Sequence, residues 1–380
     1  MYRILIVLIV VSGFFSCKRA PDKARATLSV KTQKITPKYA KFFYTEIFEN
    51  YKKLTVLNPW DNSQIYACYY LVSKNNNLPK NLPNDALVIH TPVSSIAVLS
   101  TPHIGMLDKL NLTAPITGIG EVKYIYNNNI RKSVSNKTIL ELGSSSNLNM
   151  EQLLNLKPDI LLATGYQTAN MNLQQANHLG IQVVYGLDWM EQNALARAEW
   201  LKFIALFFEK DKYAETVFSE IETHYLNVKQ KVLEVNKKPK VLVGQEWKGV
   251  WNTPGGNSYF ARLLQDAGAD YYWKDNSSTG SLALSFEDII DKQSDADIWL
   301  NPGQFTNIKD LLKSNNKLSY IKAVKHKKVY SYTKMTNNIG ANAYWETGGV
   351  NPDLVLSDLI KICQPKLLPN YQLYYYKKLD

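Results

Sequence analysis

The spacing of apolar residues along this chain changes three times, and each change marks a unit. Residues 42–47, 53–57 and 64–72 are β-prone runs rich in aromatic and β-branched side chains. They are separated by Glu49-Asn50-Tyr51 and by Asn58-Pro59-Trp60-Asp61-Asn62, which read as turns. This predicts a small β-meander over residues 38–85. From residue 86 short apolar runs alternate with amphipathic stretches. Strands are predicted at 86–89, 95–99, 116–119, 160–163 and 182–185, with helices at 102–110, 150–155 and 173–179. Such alternation implies a parallel sheet with helices packed on it.

Residues 194–236 break that rhythm. One helix is predicted at 194–208, with Leu195, Ala198, Leu201, Ala205 and Phe208 on one face. A second runs from about 212 to 235, with Val217, Ile221, Val228 and Val232 in one stripe. At 1.5 Å per residue it would be roughly 36 Å long, enough to cross between domains. Lys237-Lys238-Pro239 ends it. Strand–helix alternation then resumes at 241–243, 259–267, 286–292, 297–300 and 328–332, and 352–362 forms a last amphipathic helix. The expected fold class is therefore α/β: two parallel-sheet lobes joined by a long backbone helix, with an N-terminal β-meander. The boundaries read as 38–85 for the meander, 86–208 for the first lobe, 209–238 for the interdomain helix and 239–380 for the second lobe.

The start of the chain adds a location. Arg3 precedes an apolar run at 4–11 that is too short to span a bilayer. Phe14-Phe15-Ser16-Cys17 then resembles a bacterial lipobox, with Phe14 where leucine is usual. Residues 1–16 read as a signal peptide, Cys17 as the lipidated N-terminus, and 17–37 as a basic, flexible tether. The expected location is periplasmic, with the lipid as the only membrane contact.

Charge and motifs narrow the function by exclusion. The formal net charge is +11, but the lysines are scattered and an exported lipoprotein does not meet nucleic acid. No Gly-x-Ser-x-Gly, Gly-x-Gly-x-x-Gly or Walker loop occurs, which argues against an enzyme. His90, His103, His178, His224 and His326 are dispersed, so no metal site of the protein's own is expected. Cys68 and Cys363 could pair or remain free. Beyond the signal peptide only Arg19, Arg25, Arg131, Arg197 and Arg262 are arginines. That scarcity disfavours a strongly anionic ligand.

Several ordered stretches resemble the class III periplasmic solute-binding proteins, which capture ferric siderophores, haem and cobalamin. These are 90–100, Leu156-Lys157-Pro158-Asp159, Trp251-Asn252-Thr253-Pro254-Gly255-Gly256-Asn257, Gln265-Asp266-Ala267-Gly268-Ala269, 321–325 with Lys328-Val329-Tyr330, and 352–359. The resemblance covers about residues 86–365. It implies a monomeric receptor that binds an iron complex or cobalamin between its lobes, without a cofactor of its own. The implied partners are an ABC permease and its ATPase. Glu151 and Glu287, each near the start of a short helix in a different lobe, match the glutamates that face the permease in that family. The alternatives are a surface scaffold or adhesin lipoprotein and an α/β enzyme.

In open parallel sheets, ligands bind beyond the carboxyl ends of the strands. The residues expected there are Thr91, Ser94, Tyr166 and Trp189 in the first lobe, and Trp247, Trp251, Phe305, Tyr344 and Trp345 in the second. Trp60 is expected to reach the rim from the meander, and Trp299, inside a strand, to belong to the core.

Overall fold

The computed structural model describes residues 31–380 except Asn62 and Asn81. The signal peptide and Cys17 lie outside the described residues. The chain forms an N-terminal sheet, two α/β lobes and a helix between them, so the expected fold class is borne out.

The N-terminal sheet has five strands, Lys31–Ile35, Phe43–Phe48, Lys52–Leu57, Ile65–Ser73 and Leu87–Thr91, in that spatial order. The first three pairings are antiparallel and the last is parallel. Two boundaries therefore need correction. Lys31–Ile35, expected in the tether, is an edge strand. Its polar composition hid it, because an edge strand needs backbone partners more than an apolar face. Leu87–Thr91, expected to open the first lobe, instead completes this sheet. Residues 74–86 supply the crossover of about a dozen residues that a parallel neighbour requires.

Two buried carboxylates hold this sheet to the rest. Glu199, with no exposed surface, accepts backbone N–H bonds from Lys38, Tyr39 and Ala40 at 2.9, 2.7 and 2.9 Å. Glu191 accepts from the backbone of Lys41 and Phe42 and from the indole of Trp200.

The first lobe is built on five parallel strands, Ile96–Val98, Ile116–Ile119, Leu140–Glu141, Ile160–Thr164 and Val183–Gly186. Their order across the sheet is fifth, fourth, first, second, third. The chain thus reverses direction between Ile96–Val98 and Ile160–Thr164. Both of these strands are apolar and almost wholly buried, as expected where helices cover both faces.

The second lobe has parallel strands Lys240–Val243, Asp270–Tyr271, Ile298–Leu300 and Val329–Ser331. Lys377–Lys378 closes the edge by pairing antiparallel with Val329–Ser331. The aromatic C-terminus is strapped down by Asp358, whose carboxylate accepts backbone N–H bonds from Tyr374, Tyr375 and Tyr376. A separate three-stranded antiparallel sheet, Gln245–Trp247, Val250–Pro254 and Ser281–Leu284, lies in the same lobe.

The connecting helix is Asp211–Gln230, 20 residues and so about 30 Å. It is shorter than the expected 209–238 span. Val232 continues the apolar stripe in sequence, but a turn carries it onto the second lobe, where its side chain covers Gly268. The helix buries Ala214, Val217, Phe218, Ile221 and Tyr225 between Ala194–Leu206 and Pro352–Cys363. One continuous core, from Leu54 through Val98 and Phe218 to Val241 and Val355, runs through the N-terminal sheet and both lobes.

The lobes also touch directly. The helix Ala343–Thr347 lies against Thr101–Lys109 so closely that a Cβ on Gly105 would sit 1.9 Å from the Glu346 carbonyl oxygen. The Glu346 carboxylate accepts the backbone N–H of Tyr126 at 2.6 Å and of Asn127 at 3.0 Å. Lys109 bonds Asn351 at 2.9 Å. Burial of Glu346 pushes its carboxyl up to about 7 despite those two N–H donors, with Asp108 adding to the rise.

Candidate ligand-binding site

In an open parallel sheet, the connections leaving two adjacent strands turn to opposite faces where the winding reverses, which leaves a crevice at the strands' carboxyl ends. Here the crevice is a cavity of about 260 Å³. Val98, Ser100 and Thr101 line it from one side of the reversal and Thr164 and Tyr166 from the other. Ser144 and Ser145 complete a hydroxyl-rich wall, and Glu121 is the one ionisable carboxylate among the lining residues. A second cavity of about 220 Å³ lies on the other side of Tyr166, and the two share Thr164 and Tyr166.

An aromatic group adjoins this crevice through Tyr166, and its Trp60 and Trp189 line neither cavity themselves. The ring of Trp189 is 5.7 Å from that of Tyr166 and 6.1 Å from that of Trp60, and Trp60 lies 6.0 Å from Tyr66. The geometry is tied to backbone. The Tyr66 hydroxyl donates to the Tyr166 carbonyl at 2.9 Å and accepts the Tyr166 N–H at 3.0 Å. The Trp189 indole donates to the Gly165 carbonyl at 3.1 Å. Asp188, beside Trp189, meets the buried His103 imidazole at 2.9 Å, and the Arg197 guanidinium donates to the Trp189 carbonyl at 2.6 Å. Arg197 in turn stacks over Tyr259 of the second lobe, 4.0 Å from its ring centre. These contacts fix the orientation of Trp189 while leaving 38% of it exposed.

Of the ten residues expected to meet ligand, Trp60, Tyr166 and Trp189 are brought together here. Thr91 and Ser94 are not. Ile96–Val98, not the strand before residue 91, opens the parallel sheet, so both residues precede it and lie at the amino end. Thr91 is buried and bonds Glu209, and Ser94 bonds Asp159, which itself precedes the strand Ile160–Thr164. Burial raises the Asp159 carboxyl, but the Ser94 N–H, the Ser94 hydroxyl and the Ser95 N–H outweigh it and hold the group below its ordinary range.

Trp251 is also corrected. Its strand alternates exposed and buried positions, and Trp251 points inward, fully buried, donating to the Val243 carbonyl at 3.0 Å. Its ring lies 5.3 Å from that of Trp299, the tryptophan expected in the core. Tyr344 is likewise packing: it is 9% exposed and stacks on Tyr332 at 4.7 Å. Phe305 is half-buried against the second-lobe core. Trp247 and Trp345 are exposed, at 64% and 56%, on the second lobe. Of the ten candidates, Tyr166 alone lines either cavity, and Trp60 and Trp189 reach the site through their contacts with it and with Tyr66.

Tyr66, Ser100, Thr101, Ser144 and Ser145 were missed as candidates. A register shift opposite Val56 and Leu57 interrupts the alternation of Ile65–Ser73 at Tyr66, so the strand pattern does not say that this side chain meets the first lobe. Cys68 and Cys363 are free thiols. Among the described residues no group of three or more His, Cys, Asp or Glu is placed to hold a metal ion.

Residues 96–336 match the family model of the periplasmic binding proteins. The chain belongs to that family. Its members are solute-binding proteins, not enzymes. An uncharacterized lipoprotein of Methanocaldococcus jannaschii is 26% identical over 327 residues, 82% of this chain and 76% of the relative. Among solved structures, an ABC transporter substrate-binding protein from Listeria monocytogenes superposes with a TM-score of 0.54 at 21% identity, over 72% of this chain and 99% of that one. A periplasmic heme-binding protein of Vibrio cholerae superposes with a TM-score of 0.53 at 17% identity, over 69% of this chain and 98% of that one. The family match begins at Ile96, so the N-terminal sheet that supplies Trp60 and Tyr66 precedes it. It ends at 336, before the helix that carries Glu346.

Glu151 and Glu287 lie in the first turns of Met150–Leu156 and Phe286–Gln293, helices capped by Asn149 and Ser285. Both are exposed. Met150–Leu156 begins after the strand Leu140–Glu141, on the crevice side of its sheet.

Proposed function

We propose that this periplasmic binding protein is the substrate-binding lipoprotein of an ABC importer. It captures a bulky metal chelate, an iron complex or cobalamin, and delivers it to an inner-membrane permease driven by its ATPase. The observation that carries the reading is the aromatic group Trp60, Tyr166 and Trp189 beside a hydroxyl-lined crevice at the winding reversal. Flat, polarisable ligands gain from such rings by stacking, and hydroxyls orient them. Glu151 and Glu287 would engage basic pockets on the permease, fixing the register of the two lobes by charge. Lipid on Cys17 would hold the receptor at the membrane, a role supported by the lipoprotein relative.

Titration with ferric siderophores, haem and cobalamin, read as quenching of tryptophan emission, tests the reading. Saturable quenching by at least one of them, weakened by Trp189→Ala, is expected. Absence of saturable binding across the panel overturns it. Likewise, Cys17→Ala is expected to release the protein from membranes, and persistent membrane association would identify another anchor.

A further inference from the structure

We infer that the chelate this site takes is fringed by uncharged amide and hydroxyl groups, and that one such arm lies in the side groove between Tyr166 and the N-terminal sheet. The inference rests on the importer reading and narrows it.

The groove is the second cavity. One wall is Tyr66, brought in by a sheet that precedes the family-matched region. Its other side is the helix Met171–His178 and the turn before it, which present Gln167, Thr168, Asn170 and Gln174. Because Tyr166 and Thr164 belong to both cavities, a ligand centred in the crevice reaches the groove by passing over the half-exposed Tyr166 ring.

The charge of the two linings selects the ligand. No lysine, arginine or histidine lines either cavity, and the one ionisable carboxylate, Glu121, is paired with Lys123 at 2.8 Å. A carboxylate on the ligand would lose hydration here and find no cation in either lining, the nearby Lys123 being already engaged by Glu121. An amide or hydroxyl arm meets Gln167, Asn170 and Gln174, each able both to donate and to accept. Burial raises the phenols of Tyr66 and, to about 12, Tyr185, so these two of the groove tyrosines stay neutral at physiological pH.

The test compares two classes of chelate on the intact protein by calorimetry. Cyanocobalamin and a neutral ferric hydroxamate are the uncharged probes; haem and ferric citrate carry carboxylates. The uncharged class should bind at least about tenfold more tightly, the change that one unmade polar interaction produces. Equal or tighter binding of the carboxylate class overturns the inference and leaves the importer reading standing. Binding by neither class removes both. Gln174→Lys then tests the groove alone, since Gln174 is exposed on its helix and the change leaves the core untouched. Affinity for the preferred uncharged chelate should fall about fivefold or more as the cation is forced against its arm. Unchanged affinity would remove the arm from the groove.

Discussion

Trp189 in the first lobe and Trp251 in the second are both expected from the sequence to meet ligand, yet one is partly exposed beside Tyr166 of the crevice and the other lies inside the protein. Trp189 sits in a single 3₁₀ turn after an edge strand, held by hydrogen bonds to its indole and carbonyl, and remains 38% exposed. Trp251 sits in the middle strand of an extra antiparallel sheet, between Gln245–Trp247 and Ser281–Leu284. Strand alternation sends every second side chain to one face, so burial of Thr253 commits Trp251 to the core as well. Trp189 is thus left partly on a surface, while Trp251 packs a second layer. Substitutions can test that difference.

The largest effect is expected from Trp251→Ala. Removing a fully buried indole that also bonds the Val243 carbonyl should destabilise the protein by about 3–5 kcal/mol in urea unfolding. A loss below about 1 kcal/mol would mean that the second-lobe core does not depend on it.

Next comes the contact between the lobes. Glu346 is almost fully buried, and its carboxyl is raised from 4.5 to about 7. Between those values the native protein holds a proton that the unfolded chain has released, so stability is full below about 4.5 and falls as pH rises toward 7. The fall should be at most about 3 kcal/mol. Thermal unfolding of Glu346→Gln across that range should show a flatter profile; an unchanged slope would assign the titration to other groups.

Trp189→Ala should be the converse of Trp251→Ala. With its ring already 38% exposed, its removal should cost less stability than Trp251→Ala, while ligand affinity falls about tenfold, or about 1.4 kcal/mol. Equal losses of stability in the two variants would abolish the contrast between the two tryptophans. The smallest effect on the isolated protein is expected from Glu151→Ala combined with Glu287→Ala. Both side chains are exposed, so the free energies of unfolding and of ligand binding should stay within about 0.5 kcal/mol of wild type while uptake through the permease drops. Normal uptake would remove the docking role.

Much of the fold is legible in the sequence. The runs Ile160–Thr164 and Val183–Gly186 are short, apolar and bounded by polar turns, and both are parallel strands. The stripe of Val217 and Ile221 gives the connecting helix. The site is less legible. Leu87–Thr91 has the composition of a strand in either sheet, and assigning it to the wrong one displaced Thr91 and Ser94 to the opposite end of the lobe. Tyr344 reads as a loop aromatic until Tyr332, Tyr375 and Tyr376 close around it.

The sequence by itself determined the kind and order of the elements, the two α/β lobes and the helix between them, because the periods of apolar residues are local and survive without tertiary context. Only the tertiary structure decided which sheet each strand joins and which aromatic rings meet at the crevice. Those outcomes depend on pairings between distant segments: Tyr66 and Tyr166 are 100 residues apart and share two hydrogen bonds, and Glu346 reaches Tyr126 across 220. No local period encodes such a contact, which forms when the N-terminal sheet and the lobes close over one core.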